Sequence, residues 1–345
     1  MLDEQYNRET NVSLKSAHIF TGNANPDLAN KIAGILKTPI SKALVSRFSD
    51  GEINVSIGVN VRGHTAFVIQ PTCSVGDYAG MSPNDSLMEL LIMIDALRRS
   101  AVKEIIAVIP LYGYARQDRR PEYSRTPITS RLVAGMLETA GVDQVVTVDI
   151  HSTQQQGFFT VPMINISASP EIISDVWKVN GKNNQRLVVV SPDVGGVARA
   201  RYIAKRLNNA DLAIVDKRRE KANESKVMNV IGDVEGAHCV MIDDMIDTAG
   251  TLCGAGQALK ERGAASVSAY GTHAVLSGRA YENILESELD EVVVTDTIPL
   301  AKTEAAEKCL AAGKLRQISV ATLISETMRR IRSKQSVSEI YEGAK

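Results

Sequence analysis

No apolar run in these 345 residues reaches the ~18 needed to cross a bilayer as a helix. The N-terminus, MLDEQYNRETNVSLKSA, lacks the apolar stretch of a secretory signal. Its acidic residues set it apart from a transit peptide, and residues 1–16 read as a short disordered tail. Net charge is nearly absent: 39 Lys plus Arg against 40 Asp plus Glu leave −1. There is no bulk electrostatic case for nucleic acid or an anionic membrane, so any phosphate chemistry must come from local sites. Cysteine is scarce. Cys73, Cys239, Cys253 and Cys309 form no CxxC pair, which argues against a disulfide framework or a thiolate zinc site. Buried or free thiols in a reducing, cytoplasmic compartment fit instead. What remains, 44% apolar and 23% charged, is ordinary for a globular protein, and the length suggests two domains.

Short β-type runs alternate with helix-type runs. Strands are expected at 18–21, 43–48, 66–70, 105–109, 145–148, 187–191, 213–215, 239–242, 267–270 and 292–295. Helices are expected at 26–36, 85–99, 128–139, 169–178, 197–207, 252–262, 301–312 and 321–332. This alternation predicts an α/β fold with mainly parallel sheets covered on both faces. The boundary falls near 165–170, giving domains 1–168 and 169–320, and 181–185 is a polar loop. The helix after Asp85 is apolar on nearly every side, from Leu87 to Ile94. Either a deep core or a subunit interface explains that.

The strongest chemical signal is the run from Cys239 to Thr251, CVMIDDMIDTAGT. An apolar strand delivers Asp243 and Asp244 to its carboxyl end, and a small-residue turn then opens a helix. Ligands of open α/β sheets bind beyond such strand ends. The N–H groups of the turn Asp247, Thr248, Ala249, Gly250 and Thr251 and the helix N-terminus, with the hydroxyls of Thr248 and Thr251, suit a phosphate monoester. The two carboxylates can hold ribose hydroxyls directly or through Mg²⁺. This loop resembles the phosphoribosyl-binding loop of type I phosphoribosyltransferases, but transferases and synthetases both need it.

Further motifs follow other strands. Arg47–Glu52 is RFSDGE. It is either a plain Asp-Gly hairpin or a ring, Phe48, with two carboxylates, Asp50 and Glu52, for a purine. Tyr112–Arg120 places Arg116 and Gln117 where a triphosphate can be clamped; a solvated basic loop is the plainer reading. His151 ends a strand and is either structural, a metal ligand or a base. Ser191–Gly196 repeats the strand–carboxylate–glycine pattern, with Asp193 able to meet Mg²⁺. Asp216–Glu224 is either a solvated charge run or a mobile lid carrying Lys217 and Arg219.

In this order, FSDGE, YGYARQD, the Asp149–Phe159 segment, SPDVGG, DKRR, VMNVIGDVEG and IDDMIDTAGT resemble the ribose-phosphate pyrophosphokinase family from about His18 to Tyr341. The resemblance implies two similar domains of the type I phosphoribosyltransferase kind. The chain from about 321 to 345 packs back on the first domain. It also implies that MgATP gives a pyrophosphoryl group to the 1-hydroxyl of ribose 5-phosphate. Phe48, Asp50, Glu52, Arg116 and Gln117 would bind ATP, the first three in a neighbouring subunit's site. His151 and Asp193 would serve the metal, and Lys217 and Arg219 the catalytic loop. Asp243, Asp244 and Asp247–Thr251 would bind ribose 5-phosphate. The implied assembly is a hexamer built from dimers.

The chain departs from the family pattern in a long 73–83 connection, at Arg120–Ser124 and in its N-terminal tail. Both internal departures lie where a nucleotide can sit, so the response to phosphate and ADP stays open. A phosphoribosyltransferase needs no FSDGE or YGYARQD. A non-catalytic regulatory subunit would lack the catalytic-loop cations and metal ligands present here.

Overall fold

The computed structural model describes residues 14, 17–74, 80–180, 186–218 and 227–344. The chain divides into two compact units. The first is built on residues up to Ser167, with Thr297–Pro299 and Val320–Ile340. The second is built on Ala168–Asp296 and Leu300–Ser319.

In the first unit, β1 (Ala17–Thr21), β4 (Thr65–Ile69), β5 (Glu104–Ile109), β6 (Gln144–Val148) and β7 (Met163–Ile166) form one five-stranded sheet in that order. Every pairing is parallel. All five residues of β4 are buried, as expected of a strand covered on both faces. β2 (Ala43–Arg47) and β3 (Ile53–Ile57) form a separate antiparallel hairpin. The helices are α1 (Pro26–Ile35), α2 (Pro83–Arg99) and α3 (Thr129–Ala140).

In the second unit the sheet has seven strands. Its order is β10 (Val227–Ile231), β9 (Asp211–Arg218), β8 (Leu187–Ser191), β11 (His238–Ile246), β12 (Ser266–Ala274), β13 (Glu291–Thr295) and β14 (Leu315–Ile318). Only the β9–β10 pairing is antiparallel. The helices are α4 (Ser169–Asn180), α5 (Val197–Arg206), α6 (Gly250–Glu261), α7 (Ala280–Glu286) and α8 (Glu304–Ala311). Arg316 on β14 binds both carboxylate oxygens of Asp175 on α4 at 2.8 Å and Glu291 on β13 at 2.7 Å. The Tyr270 hydroxyl donates to the same Asp175 at 2.9 Å. One guanidinium thus pins a helix across three strands. The last helix, α9 (Ala321–Ser333), belongs to the first unit and packs on α1.

Four strands and one helix lie outside the elements expected from sequence. β3 begins directly after the RFSDGE motif. β7 and β14 have four residues each, too few for a clear period. β10 follows the charged run, and α7 spans only seven residues. Leu14 falls in the stretch expected to be disordered, yet it is 3% exposed, and its carbonyl accepts from Ala17 N at 3.0 Å. Residues 1–13 and 15–16 of that tail lie outside the described residues. So do 181–185, 75–79 of the long connection, and 219–226 of the charged run.

α2 begins at Pro83 rather than Asp85. Ser82 caps it, accepting from Asp85 N at 3.2 Å while Asp85 accepts from Ser82 N at 2.8 Å. This reciprocal box satisfies two otherwise orphaned amides. Leu87, Leu90, Met93, Ile94 and Leu97 face the core. Met88 is exposed, while Leu91 and Ile92, with Leu132 and Met136 of α3, line an open apolar groove of 810 Å³. The all-round apolar pattern therefore serves two faces, only one of them the core of this unit. All four cysteines are free thiols. Among the described residues no helix is long and apolar enough to cross a membrane.

Packing dominates the stability of α2. Leu90→Ala should lower the unfolding free energy by about 2–5 kcal/mol, and Ser82→Ala by about 1 kcal/mol. Urea unfolding of the two variants checks this; equal costs would mean that the cap rather than the core face holds the helix.

Candidate active site

The second unit has a reversal in its strand order. From β8 the chain crosses through α5 to β9 on one side. From β11 it crosses through α6 to β12 on the other. β8 and β11 are direct parallel neighbours, so the two crossovers diverge between them. Their carboxyl ends flank the kind of crevice in which open α/β sheets bind ligands.

β11 carries Asp243 and Asp244 at this edge. Asp244 N donates to Asp243 Oδ1 at 2.8 Å, and Asp244 is buried. Arg199 on α5 reaches both carboxylates, at 3.0 Å to Asp244 and 3.8 Å to Asp243. Burial, then the hydrogen bond and charge of Asp244, push the Asp243 carboxyl up to about 7, while Arg199 pulls it down. Two desolvated carboxylates this close compete for charge, and a cation or a hydroxyl donor relieves them.

The Asp247–Thr251 loop comes next. Ala249 caps α6 from the left-handed region, φ 60°. A non-glycine residue held there is strained, and its left-handed backbone turns the chain from β11 into α6. Thr248, Gly250 and Thr251 are exposed and Ala249 is buried. The Ser277 hydroxyl donates to Asp247, and Asn283 Nδ2 donates to the Thr248 carbonyl at 2.8 Å. The loop is thus held from behind, at the N-terminus of α6, where the helix dipole favours an anion. After β8, Asp193 Oδ1 accepts from Gly196 N at 2.8 Å, and Ser191 Oγ donates to the Asp193 carbonyl at 2.6 Å. A Cβ on Gly196 would lie 2.8 Å from Ser191 Oγ, so this turn has no room for a side chain.

In the first unit, two motif loops follow the adjacent strands β5 and β6. Arg116 and Gln117 are exposed on the first and His151 on the second. Both turns are strained, with Tyr114 at φ 60° and Asp149 at φ 36°. Gly113 N donates to Thr72 Oγ1 at 2.6 Å, and a Cβ there would lie 2.2 Å from the Thr72 carbonyl. Only glycine permits that approach. The RFSDGE segment is the β2–β3 turn. Phe48 N donates to the Glu52 carbonyl at 2.8 Å, and Gly51 has φ 96°. The hairpin and purine readings are therefore compatible: the turn sets Phe48, Asp50 and Glu52 out into solvent. Arg47 ties this hairpin to α2 through Asp85 at 2.9 Å.

Thus the structure brings Asp243, Asp244 and Asp247–Thr251 onto one strand–helix turn and sets Asp193 on the neighbouring one. Arg116, Gln117 and His151 share the corresponding edge of the first unit. The backbone of Lys217 lies in β9, one residue before its end, while Arg219 lies outside the described residues. Arg199, Ser277 and Asn283 were not anticipated. Arg199 carried a legible signal: a cation in the first turn of a helix opposes the macrodipole and calls for an acidic partner.

Two α/β units with anion-ready turns at parallel strand ends, one bearing a carboxylate pair, define an enzyme of phosphate-group transfer. Residues 17–141 match the family model for the N-terminal domain of ribose phosphate pyrophosphokinase. Residues 215–342 match that for the phosphoribosyl synthetase-associated domain. A ribose-phosphate pyrophosphokinase of Xanthomonas axonopodis pv. citri is 55% identical over 323 residues, covering 94% of this chain and 97% of that one. One from Nitrosomonas europaea is 53% identical over 330 residues, covering 96% and 99%. The crystal structure of phosphoribosylpyrophosphate synthetase from Mycobacterium smegmatis matches with a TM-score of 0.82 at 38% identity, covering 92% and 99%. The chain belongs to the ribose-phosphate pyrophosphokinase family.

The carboxylate pair carries a pH signature. Asp243 holds its proton up to about 7 when folded, against an ordinary value of 3.8. Between those values the folded chain binds a proton that the unfolded chain has released. This contribution to stability is fully present below about 4 and is lost as pH rises through about 7. Asp243→Asn should therefore gain thermal stability relative to wild type as pH rises from about 5 to about 8. Parallel Tm curves over that range would refute the raised carboxyl.

Proposed function

We propose that this chain, a ribose-phosphate pyrophosphokinase by family, makes phosphoribosyl pyrophosphate and AMP from MgATP and D-ribose 5-phosphate for nucleotide biosynthesis. The observation that carries this reading is the carboxylate pair and strained phosphate turn on one side of the strand-order reversal, with Asp193 on the other. Asp243 and Asp244 hold ribose hydroxyls, and the amides of Asp247–Thr251 with the threonine hydroxyls hold the 5-phosphate. In the first unit Phe48 stacks on adenine, with Asp50 and Glu52 accepting from its amine. Arg116 and Gln117 grip the triphosphate.

The 1-hydroxyl oxygen attacks the β-phosphorus. Its bond to the oxygen bridging the α- and β-phosphates breaks, AMP leaves with that oxygen, and the hydroxyl proton passes to solvent. Catalysis of this kind is positioning plus charge stabilisation. Asp193 and the carboxylate pair are hard oxygen donors that fit Mg²⁺, and in the first unit the His151 imidazole is a candidate metal donor. Mg²⁺ characteristically keeps several waters and binds through one or two carboxylates and the substrate's phosphate oxygens. When bound, Mg²⁺ neutralises charge on the phosphates. Lys217 and Arg219 meet the charge developing on the transferred group. The exposed apolar groove between α2 and α3 supports a homo-oligomer, dimers assembling to a hexamer, and the free thiols support a cytoplasmic setting.

AMP release dependent on ribose 5-phosphate is the direct assay. In it, Asp247→Ala should raise the KM for ribose 5-phosphate more than that for ATP, and an ATP-only defect would contradict the cradle. Lys217→Ala and Arg219→Ala should each lower kcat by about 10²-fold or more, because contacts made mainly in the transition state act on kcat. In an extended segment successive positions alternate between two faces, and Arg218 is the position between Lys217 and Arg219. Arg218→Ala should therefore stay much closer to wild type. Equal, small effects at all three would return this stretch to solvated surface.

A further inference from the structure

We propose that Gln155 is a positioning residue that couples the His151 turn to the nucleotide loop Tyr112–Gln117. This rests on the reading that Arg116 and Gln117 bind ATP.

Gln155 lies four residues beyond His151, in the 3-10 turn Thr153–Phe158. Its side chain is 0% exposed, and both ends of its amide are occupied. Oε1 accepts from Ser130 Oγ at 2.9 Å, and Nε2 donates to the Ala115 carbonyl at 2.7 Å. Ala115 directly precedes Arg116. Ser130, also 0% exposed, donates its amide to the Gln117 carbonyl at 3.3 Å. Its carbonyl accepts from the Tyr112 hydroxyl at 2.8 Å. Thr129 Oγ1 reaches the Tyr114 carbonyl and Gln117 Oε1, both at 3.2 Å.

The nucleotide loop therefore wraps the start of α3, where Ile128 supplies no side-chain cap. Gln155 fastens that wrap to the turn carrying His151. An amide buried this deeply is costly unless both its donor and acceptor are used. A methionine has nearly the volume of glutamine and none of its hydrogen-bonding groups. Because Tyr114 lies at φ 60°, the loop leaves regular backbone pairing, and the buried Ala115 carbonyl takes its partner from this side chain. The exposed Arg116 and Gln117 owe their placement to a bond made behind them.

Gln155→Met keeps volume and removes both bonds. ATP binding, measured calorimetrically without ribose 5-phosphate, should weaken about tenfold or more, as loss of an orienting partner does. The KM for ribose 5-phosphate at saturating ATP should change less than twofold. Gln155→Glu gives a pH signature that a packing role would not. Its carboxylate cannot donate to the Ala115 carbonyl, but its protonated form can, so its ATP affinity relative to wild type should recover as pH falls. Should Gln155→Met fail to fold, Ser130→Ala reads the same network and should weaken ATP binding a few-fold, less than additively with Gln155→Glu. ATP affinity within twofold of wild type in folded variants overturns the proposal. So does equal weakening of both substrates, or a wild type that binds no ATP. A wild type that binds ATP with the expected variant effects, yet releases no AMP, sinks the reaction assignment and leaves the positioning role standing.

Discussion

A parallel strand buried on both faces cannot turn straight back; it must return by a crossover that covers the sheet. The other features of this chain depend on that constraint. It sends the carboxyl ends of successive strands to one edge of each sheet, where loops are free of the core's demand for apolar residues. Thus Arg116 and His151 follow the neighbouring strands β5 and β6, while Asp193 and Asp243 are set by the neighbouring strands β8 and β11. The reversal between β8 and β11 opens a crevice that no single motif encodes.

Strain and desolvation are then spent at those edges. Tyr114, Asp149 and Ala249 occupy left-handed backbone, each in a turn that carries a candidate ligand-binding residue. Asp243 is half-buried and Asp244 buried, and Arg199 offsets part of their repulsion. Such arrangements persist only where surrounding structure over-determines them. Here the supports are visible in Ser277 and Asn283 behind the phosphate turn, and in Thr72 and Ser130 behind the nucleotide loop.

Much of this was legible from sequence. Long apolar strands bounded by Gly and Asp turns announced β4, β5, β8 and β11, and the motifs at their ends marked the loops. The edge strands β7 and β14 were not legible, because they have four residues each and a short run cannot display a period. β3 was masked by a motif whose turn chemistry is that of an ordinary hairpin. Supporting residues such as Gln155 and Asn283 escaped for a different reason: their partners lie 40 and 35 positions away in sequence, and nothing local distinguishes them from solvated amides. Arg199 was the exception, since its place in the first turn of α5 is electrostatically unfavourable on its own.

On the proposed reaction, two phosphates move as one unit. ATP labelled at the β-phosphorus, incubated with Mg²⁺ and ribose 5-phosphate, should leave its label in the ribose-bound diphosphate, with unlabelled AMP formed in equal amount. Label recovered in ADP, with a single phosphate moved, would contradict it.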